Sequence, residues 1–274
     1  MKKVIEKWYR TLPFPKEYDE AFYAILERTP LTGIGRVEDY PATNCPWDDI
    51  ATAERNLLAY LWFCEETERR YAEKGLPHEV FLASMNDIVR WSGRFYQATG
   101  KLGLRELSWT VLPHKLQLFE LGRLQFNFTE LTTRPIPALG AEVGEPCIGT
   151  HIPAAGPLKT EDALASFRAA DEFFAKYFPG YSYRFYTCYS WLLDPDLVPI
   201  IGEASNIARF AALFTPIYSL PANACLRYLF PDDTDEHNVA SRTPTSRLSA
   251  AVKENVLAGK SFHSVLGYRV KESR

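Results

Sequence analysis

The sequence predicts an α+β (α/β-like) fold, with a helical N-terminal domain over residues 1–112 and a mixed β-sheet flanked by helices over residues 113–274. Three observations carry this. In the first hundred or so residues apolar side chains recur at three- and four-residue steps, the period of a helix with one buried face. After Gly100 and Gly103 the pattern turns to short runs that alternate or nearly alternate, the period of strands. Between Cys147 and Tyr177 the two periods meet, as a buried strand, a tight Pro/Gly loop and an amphipathic helix. Helices followed by mixed strands and helices point to a helical domain joined to an α/β or α+β domain.

Residues 1–45 are polar and broken by Pro13, Pro15, Pro30 and Pro41, with Tyr18–Arg28 as a helix that sets Phe22, Ile25 and Leu26 on one side. Asp48 or Asp49 caps the next helix, Ala51–Lys74, which carries Leu57, Leu58, Leu61, Trp62 and Cys64 and ends at Gly75, a residue suited to the left-handed position past a helix. Its charge run Glu65–Arg70 reads as a solvated face. Pro77–Gly100 repeats Val80, Phe81, Met85, Ile88, Val89, Trp91 and Phe95 at helical spacing, a stripe that reads as core. No catalytic constellation appears in this half. Leu107–Leu112, Leu116–Leu121 and Leu124–Thr129 then read as strands, the last two joined by a turn or bulge at Gly122-Arg123. Arg134–Pro146 is a loop. Tyr183–Leu193 is the strongest strand, stopped by Asp194-Pro195-Asp196, which can start a helix. Leu197–Phe214 is helical, split at Gly202 and Ser205-Asn206. Ile217 and Ala224–Phe230 suggest another strand, Asp232–Thr245 a polar loop, Thr245–Leu257 a helix capped by Thr245 or Ser246, and His263–Val270 a last strand.

Composition narrows the function. The 274 residues carry a net charge of −3 and no sustained basic run, which speaks against general nucleic-acid binding. The five cysteines are scattered, odd in number and without a CxxC pair, so neither a zinc knuckle nor a disulfide framework is indicated, and no metal is expected. The start, MKKVIEKWYR, lacks an apolar signal core, and no stretch approaches the length of a membrane span. A reduced cytoplasmic protein is the expectation. Aromatic content of 14% fits either a large core or a stacking pocket.

The stretch from Cys147 to Tyr177 is where chemistry is expected. Cys147–Ile152 is the strand. Pro153-Ala154-Ala155-Gly156-Pro157 continues neither strand nor helix. Thr160 fits an N-cap, with Glu161 and Asp162 in the first turn, and Leu164, Phe167, Ala170, Phe174 and Tyr177 form the buried face. Free N–H groups and a positive dipole end converge at such a start, as at an anion site. An ordinary strand-to-helix turn has the same outline.

Four segments carry a resemblance. Leu121-Gly-Arg-Leu-Gln-Phe126, His151-Ile-Pro-Ala-Ala-Gly-Pro-Leu158, Cys188-Tyr-Ser-Trp-Leu-Leu193 and Ser205-Asn-Ile207 resemble a group of bacterial acyltransferase-like proteins that have a helical N-terminal domain and a GNAT-like C-terminal domain. The resemblance implies a mixed sheet in which two parallel strands splay apart, with acetyl-CoA or another acyl-CoA in the opening and its pyrophosphate at the helix that follows the first strand. On this mapping Cys147–Ile152 and Tyr183–Leu193 are the two strands. Ile152, Pro153, Ala154, Ala155, Gly156, Leu158 and Thr160 then hold the co-substrate, with Asn206 lining its cleft. The loop departs from the usual Gln/Arg-x-x-Gly-x-Gly/Ala, because Pro153 and Pro157 remove two N–H donors. Arg209 and Leu213 stand where Ala and Tyr are usual, so the tyrosine that often protonates the leaving thiolate has no counterpart.

The implied activity is direct transfer of an acyl group from CoA to an amine, of a small molecule or of a protein, with a homodimer left open. Such a site needs a base, N–H donors for the thioester carbonyl, and an acid or dipole for the thiolate. His151 reads as the base or as a strand-end histidine bonded to backbone; Cys188 as a nucleophile or as a buried core thiol; Glu203 as a cleft residue or a helix-surface group. Asp194 reads as a cap or an acid, and Glu120 and Glu130 as ligands for an amine. The alternative is a catalytically inactive GNAT scaffold that binds acyl-CoA or another small molecule as a sensor. A cysteine hydrolase using Cys188 with His151 or His263 is a third class, with no nucleophile elbow around Cys188 to support it.

Overall fold

The computed structural model of the protein describes residues 1–272, which divide at Phe119/Glu120 into a helical unit and a sheet unit. The helical unit contains α1 (Lys2–Thr11), α2 (Asp19–Arg28), α3 (Ile50–Glu73), α4 (His78–Thr99) and α5 (Leu107–His114). Asp49 starts α3 by accepting the Thr52 N–H at 3.1 Å. Gly75, at φ +70°, ends it, and the Leu76 N–H closes a six-residue turn onto the Tyr71 carbonyl at 2.9 Å. Trp8, Phe22, Tyr60, Phe63, Tyr71, Phe81 and Phe95 are fully buried here, and Trp8 meets Phe81 edge to face with centroids 5.3 Å apart. Core, rather than a stacking pocket, accounts for these aromatics.

One strand expected in this unit is a helix. Leu107–Leu112 lies within α5, where Leu107, Thr110, Val111 and His114 are buried at positions one, four, five and eight. That is a helical stripe, and the Thr110 hydroxyl donates back to the Glu106 carbonyl at 2.7 Å.

The sheet unit has six strands: β1 (Leu118–Leu121, whose first residues fall before the division), β2 (Leu124–Glu130), β3 (Pro146–His151), β4 (Phe185–Ser190), β5 (Thr215–Pro221) and β6 (His263–Val270). Their spatial order is β1-β2-β3-β4-β6-β5. β3 and β4 are parallel, whereas β2–β3, β4–β6 and β5–β6 are antiparallel. The parallel pair requires a crossover, and α6 (Thr160–Tyr177) supplies it. Phe167 of α6 lies on Phe126 and Tyr186, and Phe174 on Phe128, so Phe126, Phe128 and Tyr186 define the α6 side of the sheet.

After β4 come α7 (Val198–Ile201), α8 (Asn206–Ala211), α9 (Cys225–Leu229) and α10 (Arg247–Leu257), around a cluster of Trp191, Leu197, Cys225, Leu226, Val239 and Val252. The expected split at Gly202 and Ser205-Asn206 is present between α7 and α8. The end of the expected strand at Tyr183–Leu193 is instead a 3-10 turn over Trp191–Leu193. Ile217 lies in β5, but Ala224–Phe230 is mostly the short helix α9, whose Cys225 and Leu226 are buried against the cluster. Ser246, not Thr245, caps α10: its hydroxyl accepts from the Ser249 N–H at 3.0 Å while Ser249 accepts from the Ser246 N–H at 2.9 Å. Among the described residues no helix is long and apolar enough to cross a membrane.

Candidate functional site

The sheet opens where β3 and β4 end their pairing. Their parallel register consists of Ile148↔Tyr186 and Gly149↔Thr187. Beyond it Thr150 and His151 remain paired with β2, and Cys188, Tyr189 and Ser190 with β6, so each strand continues with its outer neighbour alone. A split of this kind leaves backbone donors and acceptors on the two inner edges. On the sheet face opposite α6, a cleft of about 160 Å³ is lined by Asn127, Glu130, Gly149, His151, Thr187 and Tyr189, among others.

The loop after β3 is held by a residue that sequence reasoning passed over. Arg123, in the turn between β1 and β2, donates from Nη1 to the Pro153 carbonyl at 3.0 Å, from Nη2 to the Gly156 carbonyl at 3.1 Å and from Nε to the Pro157 carbonyl at 3.0 Å. Its backbone N–H donates to Ser166 Oγ of α6 at 2.7 Å, a close approach possible because Gly122 turns at φ +77° without a side chain. One guanidinium thus gathers three loop carbonyls. The Ala155 N–H is spent on the Pro153 carbonyl at 2.8 Å. Ala154, Ala155, Gly156 and Pro157 are exposed, Ile152 is half-buried, and Pro153 and Leu158 are buried.

Thr160 is the first residue of α6 and not its cap; Lys159 holds the cap position without a side-chain bond. This leaves the Thr160 hydroxyl buried with no hydrogen-bond partner in the structure, and Thr150 Oγ1 in β3, three residues before Pro153, is in the same state. Buried hydroxyls are normally satisfied. The Thr160 orphan at the start of α6, beside the Arg123-held loop, fits a site that takes a polar ligand there.

His151 is half-buried on the cleft side, and its Nε2 lies 2.7 Å from Asn127 Oδ1. Burial pushes its pKa down to about 4, below the near-neutral value expected of it. Gly149 makes room for the Asn127 side chain, since a Cβ there would sit 2.1 Å from Asn127 Oδ1. Cys188 is not beside His151. It alternates with Thr187 and Tyr189 and so points to the α6 side with Tyr186, where it is 1% exposed and burial pushes its thiol up to about 12. Glu203 is exposed between α7 and α8, and Asn206 is exposed at the first position of α8; neither lines the cleft. Asp194 is buried as a cap: Oδ1 accepts from the Asp196 N–H at 3.0 Å, and Oδ2 from the His263 N–H at 2.6 Å. Glu120 accepts from Gln125 at 3.1 Å, while Glu130 reaches the cleft. A wider groove of about 870 Å³ belongs to the helical unit, with Trp62, Glu65, Glu66, Arg69 and His78 on its walls. Its carboxylates are paired with cations, Glu66 with Arg36 on the wall and Glu65 with Lys7 of α1, and its His78 lies 3.5 Å from Glu68.

Comparison with known proteins agrees with this geometry. Residues 118–269 match the GNAT-like C-terminal domain, and residues 5–116 match the N-acyltransferase N-terminal domain. No curated protein is similar in sequence. Among solved structures, an acyltransferase in complex with CoA and 10C-teicoplanin is 26% identical, with a TM-score of 0.71 over 95% of this chain and 81% of that one. An acyltransferase in complex with decanoyl-CoA and teicoplanin is 24% identical, with a TM-score of 0.71 over 95% and 81%. An acyltransferase mutant in complex with octanoyl-CoA is 23% identical, with a TM-score of 0.72 over 98% and 84%. The chain belongs to the family of the GNAT-like C-terminal domain, preceded by an N-acyltransferase N-terminal domain.

Proposed function

We propose that the protein is an acyl-CoA-dependent N-acyltransferase that moves an acyl group directly from CoA to an amine of a small-molecule acceptor. The observation that carries this is the parting of β3 and β4 beside the α6 start, with a loop held by Arg123 and an orphaned Thr160 hydroxyl. The pyrophosphate lies against 153–160, and the thioester lies between the inner strand edges, whose N–H groups polarise its carbonyl. The acceptor nitrogen attacks the carbonyl carbon, a C–N bond forms and the C–S bond breaks. His151 takes the proton from the nitrogen and returns it to the departing thiolate, so one imidazole serves as base and then acid and no tyrosine on α8 is needed. The similar acyltransferase solved with CoA and 10C-teicoplanin supports a CoA-linked co-substrate and a small-molecule partner.

Binding without turnover is the second reading. The pKa of about 4 at His151 favours it, because a base far below working pH is a weak one, and so do the two prolines that remove loop N–H groups. A thermal shift with CoA, acetyl-CoA and decanoyl-CoA against adenosine, followed by mass spectrometry of an amine panel, separates the cases. Transfer predicts a rise of about 5 °C or more near a hundredfold excess over Kd, an acylated product, and its loss in His151→Gln. A shift with no product supports the binding protein. No shift with any CoA species contradicts both.

A further inference from the structure

We propose that Asn127 is a positioning residue that fixes the tautomer of His151, holding the ring proton on Nε2 and the lone pair of the neutral ring on Nδ1. This rests on His151 as the base. Asn127 sits in β2 directly opposite Gly149 of β3, and its side chain passes over Gly149 to reach His151, two residues on. Its Nδ2 donates to the Phe128 carbonyl at 3.0 Å, and its Oδ1 faces His151 Nε2 at 2.7 Å. The flipped amide is excluded chemically, because it would turn Oδ1 against the Phe128 carbonyl, acceptor to acceptor. An amide oxygen has no proton to give, so the proton in the 2.7 Å contact belongs to Nε2 and the lone pair of the neutral ring belongs to Nδ1. A carboxylate in the place of Asn127 would make the same bond and also stabilise the imidazolium. The amide makes the bond without adding charge, which keeps His151 in its proton-accepting form.

Charged and titratable groups lie near this pair. Glu130 and Tyr189 share the cleft, and Glu120 is joined to Gln125, the residue opposite His151. Gly149 belongs to the device: any side chain there would drive Asn127 off the ring.

The test is the ring itself. Long-range proton–nitrogen NMR of 15N-histidine protein distinguishes the two tautomers, and His151 is assigned by its loss in His151→Gln. Wild type is expected to show the Nε2–H pattern. Asn127→Ala is expected to lose it, to a mixed or Nδ1–H pattern, with kcat about tenfold or more lower and KM for decanoyl-CoA within about twofold. Asn127→Asp is expected to keep the Nε2–H pattern and titrate at higher pH, a shift that a purely structural role would not produce. If Asn127→Ala does not fold, Gly149→Ala displaces the same contact and gives the same readout. An Nδ1–H wild type, or a tautomer unchanged in both Asn127→Ala and Gly149→Ala, overturns the proposal. A His151→Gln variant as active as wild type would instead remove the base reading and leave the tautomer result standing, so the two failures are distinguishable.

Discussion

Three carbonyls of the loop after β3 accept from the Arg123 guanidinium, and this sets what the loop can offer a ligand. With its oxygens drawn to Arg123, the donors left to an anion are the N–H groups of Ala154 and Gly156 and those at the start of α6. A loop that has given up two donors to proline depends on the rest being held in place. Arg123→Ala is therefore expected to weaken CoA binding about tenfold or more, since each lost charged hydrogen bond is worth about 1.5–3 kcal/mol and part returns as loop entropy. Isothermal titration checks this, and an unchanged Kd would show that the clamp is irrelevant to the ligand. Arg123 was visible in the sequence as a charged residue in a turn and within the Leu121–Phe126 segment of the resemblance, and neither links it to a loop 30 residues further on. Asn127 was less visible still, because its partner is 24 residues further on and the register that joins them appears only in the sheet. His151 was legible because a titratable residue beside a Pro/Gly loop stands out. Its low pKa was not, because burial is a property of the fold.

At the scale of elements, sequence period served best where an element is long or strictly bounded. α3 and α4 span 24 and 22 residues and repeat their apolar stripe many times. β2, β3 and β6 are bounded by turn residues. Short apolar runs misled: Leu107–Leu112 and Ala224–Phe230 have the composition of strands, and too few residues for period 2 to be told from 3.6. Tertiary burial of Val111 and His114, and of Cys225 and Leu226, decides for helix in both. Capping is a cleaner local signal, and α10 tests it. Ser246→Ala removes one of the two reciprocal bonds with Ser249 and is expected to cost about 1 kcal/mol, a fall in Tm of about 2–4 °C, with CoA affinity unchanged. A loss of CoA affinity would mean that α10 contributes to the site.

At the scale of the whole molecule, two histidines among the described residues are kept neutral by burial. His114 is fully buried in the helical unit, bonded to Thr67 at 2.7 Å, with its pKa pushed down to about 3; His151 is pushed to about 4. Both folded values lie below the ordinary value of 6.5, so between them the unfolded chain binds more protons than the folded one. Their contribution to stability is complete above pH 6.5 and is lost as pH falls toward 4 for His151 and 3 for His114. Each adds a slope of up to about 1.4 kcal/mol per pH unit in that window. Denaturation from pH 7 to 4 is expected to show a matching decline, reduced in His114→Gln once that variant's own loss at pH 7 is subtracted. Equal slopes for the two proteins would contradict the buried neutral state.

Hydrogen exchange with and without decanoyl-CoA tests the central claim most directly, because it locates a ligand without assuming turnover. Protection is expected at 149–163, covering the end of β3, the Arg123-held loop and the first turn of α6, and at 187–190 on the facing strand. Protection confined to the groove at 62–78, or none at saturating ligand, would contradict the assignment of the parted strands as the acyl-CoA site.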